Sequence, residues 1–496
     1  MDKHDGPRET ADGTGTGGES ESTGLSRRSI LRSAGATAAG VVTMAGTASA
    51  ATDGSDDPEY PSAAWFQREQ ANYAKTQEAP REQAEDPAFQ QRWQTQSATN
   101  IADFRTRTVE EPGWNSEGNL CKEYAEQCTG DPFGYPIGTT YEEQHSYDGV
   151  ERRRVVFHDS GLDSDAGGAR LSGWVWAPAD SDPGGDLPGV VITNGSVQAS
   201  QTLYWWFADT LARNGYVVMT YDPRGQGRSD TATPDGTLGT NANSTVFVTN
   251  QVDAIDLFRS TPENRYPHNT EAPGAVPAPV AEYNPFHDRL DRSRLGIVGH
   301  SLGATGVSVV QGIPDEDWPG TVDDTNPVDA AVAWDNLTAP GESLAGFEVR
   351  PRVPAMGQSA DYGLTPQPKT EPPNEDAKAT AQAAWSEAGV DTYQVNVRGG
   401  THYEWALIPT FPTTSWDFGN PMADHYSLAW LDRYLKHPGE EGFHDADDRL
   451  LADDRWRDRL SFYYRSARDF TTRNQQVRDC PDIKAGCDGP TPPGQD

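Results

Sequence analysis

Basic residues, and lysine above all, are scarce in this chain of 496 residues. It has 40 Lys and Arg residues, only seven of them lysines, against 75 Asp and Glu residues, and its formal net charge is -35 at pH 7. Because such a surface repels phosphate, the composition excludes a nucleic-acid binder that depends on a basic face. The charge favours a halophilic protein, since at about 1 M salt the screening length falls to roughly 3 Å and carboxylates repel one another less.

Long hydrophobic runs are absent as well. The apolar stretch 34–44 is short and consists mainly of Ala, Gly and Thr; it follows Ser-Arg-Arg-Ser-Ile-Leu-Arg at 26–32 and precedes Ala48-Ser49-Ala50. This arrangement is typical of a twin-arginine export signal with a small-residue cleavage site, and the stretch is too short for a stable membrane anchor. We therefore expect residues 1–50 to be removed and the mature protein to be secreted.

Cysteine is rare too, and its four copies form two pairs of equal spacing, Cys121 with Cys128 and Cys480 with Cys487. In an oxidising exterior four cysteines allow three disulfide pairings, among which sequence alone does not choose. We favour two local loops, with a cross-link between the N-terminal and C-terminal flanks as the alternative. Because the spacing matches no common zinc motif, we expect a structural role, and neither a metal nor a cofactor.

Large aromatic residues are plentiful, with 14 Trp, 18 Tyr and 15 Phe, so the chain can bury a core despite its charge. Apolar strand patterns alternate with helix patterns over 140–436, which predicts an α/β fold: a doubly wound, mostly parallel sheet with helices on both faces. Residues 51–139 are expected to form a helical flank, with helices at 63–74 and 87–107, and residues 437–496 a C-terminal extension. The predicted strands lie at 140–147, 153–157, 171–176, 189–193, 216–220, 294–298, 329–334, 353–357 and 392–397. The predicted helices lie at 203–214, 248–259, 302–311, 375–388 and 422–436.

The acidic segment 159–168 joins two of the early strands. Its spacing lacks the terminal Glu of an EF-hand, so a solvated hairpin turn is favoured over a calcium loop.

The strand predicted at 294–298 runs into Gly299-His300-Ser301-Leu302-Gly303, followed by small residues that favour a helix. A sharp strand-to-helix turn crowds the backbone, and the two glycines leave room for it beside Ser301. The helix N-terminus places amide N–H groups near any negative charge that develops there. Ser301 is therefore a candidate nucleophile.

Two further strands end in small or glycine-rich segments. The strand at 189–193 precedes Asn194-Gly195-Ser196, whose backbone amides can bind an oxyanion. The strand at 216–220 precedes Tyr221-Asp222-Pro223-Arg224-Gly225-Gln226-Gly227-Arg228-Ser229, whose spacing matches neither a Walker loop nor the dinucleotide fingerprint.

Over roughly 140–436, this ordered series of motifs resembles the α/β-hydrolase superfamily, in which the triad runs Ser, acid, His. The resemblance implies His402 as the base, since Gly399-Gly400-Thr401-His402-Tyr403 is similar to the family's G-x-T-H pattern. It implies Asp361, which follows the strand at 353–357, as the acid, with Asp335 as the alternative. The amides of Leu302 and Ser196 would form the oxyanion hole.

The expected activity is hydrolysis of a small-molecule or polymeric carboxylic ester through an acyl-enzyme. A serine peptidase or acyltransferase of the same fold, and a non-catalytic surface binding protein, are the alternatives; the oligomeric state stays open. About 17 residues join the strands at 329–334 and 353–357, too few for a multi-helix cap, so the site should be open. Five aromatic residues are candidates for its rim, although each is more often a core residue: Tyr204, Trp205, Trp206, Trp334 and Trp405.

Overall fold

A ten-stranded mixed sheet runs through the described part of the chain. The computed structural model describes residues 58–85, single positions between 87 and 109, and residues 147–487 apart from 164–167, 197–199, 240–242, 270–279, 365 and 407–418. Its strands are β1 (Val150–His158), β2 (Arg170–Pro178), β3 (Leu187–Thr193), β4 (Val217–Asp222), β5 (Leu290–His300), β6 (Ala330–Trp334), β9 (Ala355–Ala360), β10 (Thr392–Val397), β11 (Ala467–Thr471) and β12 (Val477–Cys480). A separate hairpin joins β7 (Ser343–Leu344) to β8 (Phe347–Glu348).

The strand order is β1-β2-β4-β3-β5-β6-β9-β10-β11-β12. The pairs from β4 to β10 are parallel, whereas β1 and β2 on one side and β11 and β12 on the other pair antiparallel. Strands β4, β6, β9 and β10 are buried along their whole length, as expected of parallel strands covered on both faces. Because parallel strands end at the same edge, the loops after β3, β5, β6, β9 and β10 meet there.

Helices cover both faces of this sheet. The described α-helices are α1 (Ala63–Glu85), α2 (Trp205–Arg213), α3 (Val246–Arg259), α4 (Leu302–Val310), α5 (Thr380–Glu387), α6 (Gly419–Leu435), α7 (Ala446–Leu450) and α8 (Asp453–Trp456). Helices α2 to α6 supply the two cores that cover the sheet, whereas Trp65 of α1 packs in a separate cluster with Tyr463 and Tyr464. One core contains Trp206 of α2 and Trp430 of α6, and the opposite core contains Phe258 of α3 and Val307 of α4. The predicted α/β architecture, a mostly parallel sheet between two layers of helices, is confirmed.

Several predicted elements differ from the structure or lie outside it. Helix α1 continues past the predicted end at 74 to Glu85. The predicted strand at 140–147, the export signal at 1–50 and the pair Cys121 and Cys128 lie outside the described residues, apart from Tyr147. The predicted boundary at 436 cuts through the sheet, since β11 and β12 extend it. These strands are short and carry several charges, so their pattern did not distinguish them from a polar tail.

The local disulfide predicted in the C-terminal extension is present. Cys480, the last residue of β12, is bonded to Cys487. The bond closes a short loop at the edge of the sheet, in agreement with the structural role expected for this pair.

The prediction of a solvated acidic turn after β1 is wrong for its first residue. Asp159 is buried and accepts a hydrogen bond from Nε of Arg224 (2.8 Å), and Asp163 accepts one from Nη2 of the same arginine (2.8 Å). Arg224 lies in the glycine-rich turn after β4 and is itself fully buried, so its charge requires carboxylate partners.

The segment between β6 and β9 holds the β7–β8 hairpin and no helix, and all of its residues are described. Nor does any helix in the described ranges have the length and apolar character needed to span a bilayer.

Candidate active site

Ser301 lies between the end of β5 and the start of α4, as predicted. Its backbone has a φ of 56° and a ψ of -121°, a strained conformation for a residue with a side chain, and its N–H donates to the Trp334 carbonyl of β6 (2.9 Å). A Cβ on Gly299 would lie 2.2 Å from the Gly303 carbonyl oxygen, and one on Gly303 would lie 2.5 Å from that of Thr193. The two glycines therefore allow the close backbone approach on which the turn depends.

His402 lies in the turn after β10, and its Nδ1 is hydrogen-bonded to Oδ2 of Asp335, which directly follows β6. The other oxygen of Asp335 accepts from Oγ of Ser359 (2.6 Å). Burial raises the pKa of the Asp335 carboxyl, but the hydrogen bond and charge of His402, with help from Lys378 and Ser359, lower it to about 2.

Because the ionised Asp335 carboxylate can only accept, Nδ1 of His402 carries the proton. Its Nε2 is then available as a base. The side chains of His402 and Asp335 are 16% and 12% exposed, so the pair reaches solvent at the sheet edge.

The choice of Asp361 as the partner of His402 is wrong, and the alternative, Asp335, holds that place. Asp361 is buried one strand further along, and its carboxylate accepts from Nδ2 of Asn72 in α1 (3.0 Å), from the Gly399 amide (2.8 Å) and from Oγ of Ser461. Burial raises the pKa of Asp361, whereas these hydrogen bonds lower it, and the net shift is upward. Asp361 thus connects β9, α1, the turn that leads to His402 and the segment before β11.

A chain of buried hydrogen bonds joins the loop after β3 to the His402 turn. The Gly195 amide donates to Oη of Tyr204 (3.1 Å), Oη lies 2.8 Å from Nδ1 of His300, and Nε2 of His300 lies 2.9 Å from the His402 carbonyl oxygen. Burial, reinforced by the charge of His402, lowers the pKa of His300 to about 3, so its ring is neutral. Since the His402 carbonyl can only accept, Nε2 of His300 carries the proton and Nδ1 accepts from Tyr204.

The sequence identified His300 as part of the turn but did not predict this chain, because its members are far apart in sequence. His300 and His402 also pack against each other, with ring centroids 4.7 Å apart. The hydrogen-bond chain, Gly195–Tyr204–His300–His402, therefore connects the loop after β3 to the backbone of His402.

The segment predicted to supply an oxyanion donor lies against the serine. A Cβ on Gly195 would be 3.2 Å from Cβ of Ser301. Because the Gly195 amide already donates to Tyr204, the next amide, that of Ser196, is the candidate donor in this segment. Leu302, the first residue of α4, supplies an amide in the first turn, where helical N–H groups lack intrahelical acceptors. Their role in binding an oxyanion stays a prediction.

The glycine-rich turn after β4 has a structural function. The buried Asp222 carboxylate accepts from the amides of Gln201 (2.7 Å) and Arg228 (3.0 Å) and thereby ties the segment before α2 to the turn. A Cβ on Gly227 would approach Asp222 to 2.3 Å, which explains the glycine.

The candidate rim aromatics belong to the core. All are buried: Tyr204, Trp205, Trp206, Trp334 and Trp405. Indole Nε1 of Trp206 donates to the Trp405 carbonyl (3.2 Å), and this bond ties α2 to the segment that follows His402.

The comparisons with known proteins gave no relative on which to base a function: no protein-family model and no curated protein matches this chain.

Proposed function

We propose that this chain is a serine hydrolase of the α/β-hydrolase superfamily that cleaves carboxylic esters. The observation that carries the proposal is that Ser301, on a strained strand-to-helix turn after β5, lies at the same edge of the sheet as a histidine that an ionised carboxylate orients. The strand order and the motifs after β3, β4, β5 and β10 agree with that superfamily. The proposal includes export through the twin-arginine route, which the segment 26–50 supports, and adaptation to salt, which the net charge of -35 supports.

The proposed mechanism begins with attack of Ser301 Oγ on the ester carbonyl carbon, while Nε2 of His402 takes the hydroxyl proton. Asp335 stabilises the imidazolium that forms. The amides of Leu302 and Ser196 bind the oxyanion, each contributing on the order of 3 kcal/mol. The imidazolium then protonates the departing alkoxide, and an acyl-serine remains.

Water completes the cycle. His402 removes a proton from a water molecule that attacks the acyl carbon, and the Ser301 oxygen leaves with that proton. Within the described residues, Ser301 Oγ has no hydrogen bond to His402; such bonds often tighten only when substrate is bound.

The proposal is tested by assaying the mature protein in molar salt against p-nitrophenyl esters of increasing acyl length, a peptide p-nitroanilide and an ester with an added alcohol acceptor. We expect hydrolysis of the esters alone. Faster anilide cleavage would indicate a peptidase, and transfer to the alcohol in place of water would indicate an acyltransferase. Failure to turn over any ester, together with no labelling by a fluorophosphonate, would favour a non-catalytic protein.

The hydrogen-bond chain through Tyr204 gives a second prediction. Tyr204→Phe removes one hydroxyl from a fully buried ring, so Gly195 and His300 each lose a partner and the His402 turn is less well positioned. We expect kcat for a p-nitrophenyl ester to fall about tenfold with little change in KM, because a misplaced base affects chemistry more than binding.

Tyr266→Phe is the matched control. Tyr266 is also buried, and its hydroxyl donates to the carbonyl of His158, the last residue of β1 (2.6 Å). Both variants should lose about 1 kcal/mol of unfolding free energy. Equal kcat values in the two variants would show that Tyr204 has only a structural role.

A further inference from the structure

Cationic side chains gather beside the His402 turn in a protein that has few of them. We call Lys369, Lys378 and Arg398 the basic cluster. The ammonium groups of Lys369 and Lys378 lie 5.3 and 5.8 Å from the ring centre of Tyr464, and the Arg398 guanidinium lies 4.0 Å from that of Phe462. Two of the seven lysines in the chain thus share one ring.

The basic cluster lacks direct ion-pair partners. Within the described part of the chain, Lys369, Lys378 and Arg398 form no ion pair, although acidic residues outnumber basic ones in the sequence nearly two to one. The acidic residues closest to Lys378 in sequence, Glu375 and Asp376, are both paired with Arg465 (2.9 Å each).

Three carboxylates act on the cluster through charge without forming an ion pair with it: Asp335 on Lys378, Asp361 on Arg398 and Glu69 on Lys369. Asp361 accepts from Asn72, Gly399 and Ser461, and Oε1 of Glu69 accepts from the Tyr362 hydroxyl (3.2 Å) and a backbone amide. Burial lowers the pKa of Arg398; the charge of Asp361 opposes this effect, and the charges of Arg459 and Arg68 add to it.

The basic cluster lies near Asp335 and the turn that carries His402. Arg398 follows β10 directly and precedes the glycines that lead to His402. The carbonyl of Lys378 accepts from Nδ2 of Asn336, the residue after Asp335 (2.7 Å). The side chains of all three cluster residues are partly exposed.

We infer that the basic cluster binds an anionic group of the substrate, and that the preferred esters carry a second, ionised carboxylate. This inference rests on the proposed function. The net negative charge repels such a substrate at a distance, but in a saline medium that repulsion is screened and contact pairs persist. Ammonium and guanidinium donors then form charge-assisted hydrogen bonds with the carboxylate. Aromatic rings behind the cations hold them in position without neutralising them.

The test compares two p-nitrophenyl esters of equal shape, the hemiadipate, which carries a carboxylate, and the neutral 6-methylheptanoate. The quantity measured is the ratio of their kcat/KM values, which cancels any general effect of a variant on the catalytic groups. We expect wild type to prefer the hemiadipate by about tenfold, and Lys378→Gln and Arg398→Gln each to remove most of that preference, whereas Lys378→Arg keeps it.

Arg153→Gln is the control for loss of a positive charge elsewhere. Arg153 lies on the edge strand β1 with a side chain that is 60% exposed, and its removal should leave the ratio unchanged. A wild-type ratio near one, or the same loss of ratio in Arg153→Gln, would overturn the inference while leaving the esterase proposal intact. Failure of wild type to hydrolyse either ester would instead overturn the esterase proposal and, with it, the substrate assignment.

Discussion

Ser301→Ala should lower kcat for a p-nitrophenyl ester by a factor of at least about 10⁴ and abolish labelling by a fluorophosphonate. The substitution removes the only atom that forms the acyl-enzyme bond, and residual turnover can then come only from binding and the oxyanion donors. The fold should be unchanged, because the backbone of residue 301 keeps its conformation and only one atom of a half-buried side chain is lost. Turnover and labelling are measured on the same preparations as the thermal unfolding midpoint.

Ser308→Ala is the matched control. Ser308 lies on the same helix, α4, where its buried hydroxyl donates to the Ala304 carbonyl (2.9 Å) and accepts from the Thr338 amide (3.1 Å). This variant should lose about 1 to 3 kcal/mol of stability and keep both activity and labelling. Activity that survives Ser301→Ala would contradict the assignment of the nucleophile.

Asp335→Asn should lower kcat by about 10³ to 10⁴ with a small effect on KM. An amide at this position no longer stabilises the imidazolium, and its NH₂ group can face Nδ1 of His402 and impose the wrong tautomer. Stability at neutral pH should fall as well. The pKa of Asp335 is depressed in the folded protein, so its ionised form contributes stability above the unfolded pKa and loses it as pH falls towards about 2.

Asp361→Asn is the decisive comparison. Its carboxylate accepts from three donors and does not contact His402, so an amide in its place leaves the base oriented but disrupts a buried network. We expect a loss of about 1 to 3 kcal/mol in unfolding free energy and a kcat within about tenfold of wild type. The pH profile of kcat/KM should keep its shape in Asp361→Asn and change in Asp335→Asn. The reverse pattern would restore Asp361 as the acid.

The sequence did not distinguish Asp335 from Asp361 as the partner of His402. Both follow a strand of the parallel sheet, and neighbouring parallel strands deliver their ends to the same edge, so the pattern admits either one. The structure separates them through contacts that are remote in sequence. Asn72 of α1 and Ser461 before β11 occupy the Asp361 carboxylate and leave Asp335 for His402.

Other features depended on the same kind of contact. The burial of Asp159 follows from its pairing with Arg224, which lies on a different strand end. The hydrogen-bond chain through Tyr204 and His300 joins three loops, and no local sequence pattern predicts it. Strand β11 pairs with the edge of β10, and β12 pairs in turn with β11, although both sequences are short and partly charged.

The sequence by itself determined the alternation of strands and helices, the turn that carries Ser301 and the position of His402 after β10. Each depends on local rules: apolar periodicity, glycines where the backbone has no room for a Cβ, and small residues that begin a helix. Only the tertiary structure decided which carboxylate orients the histidine, which aromatics are core, and where the scarce cations gather. These outcomes depend on which distant groups satisfy a buried charge or hydrogen bond, and that choice is made only when the chain is folded.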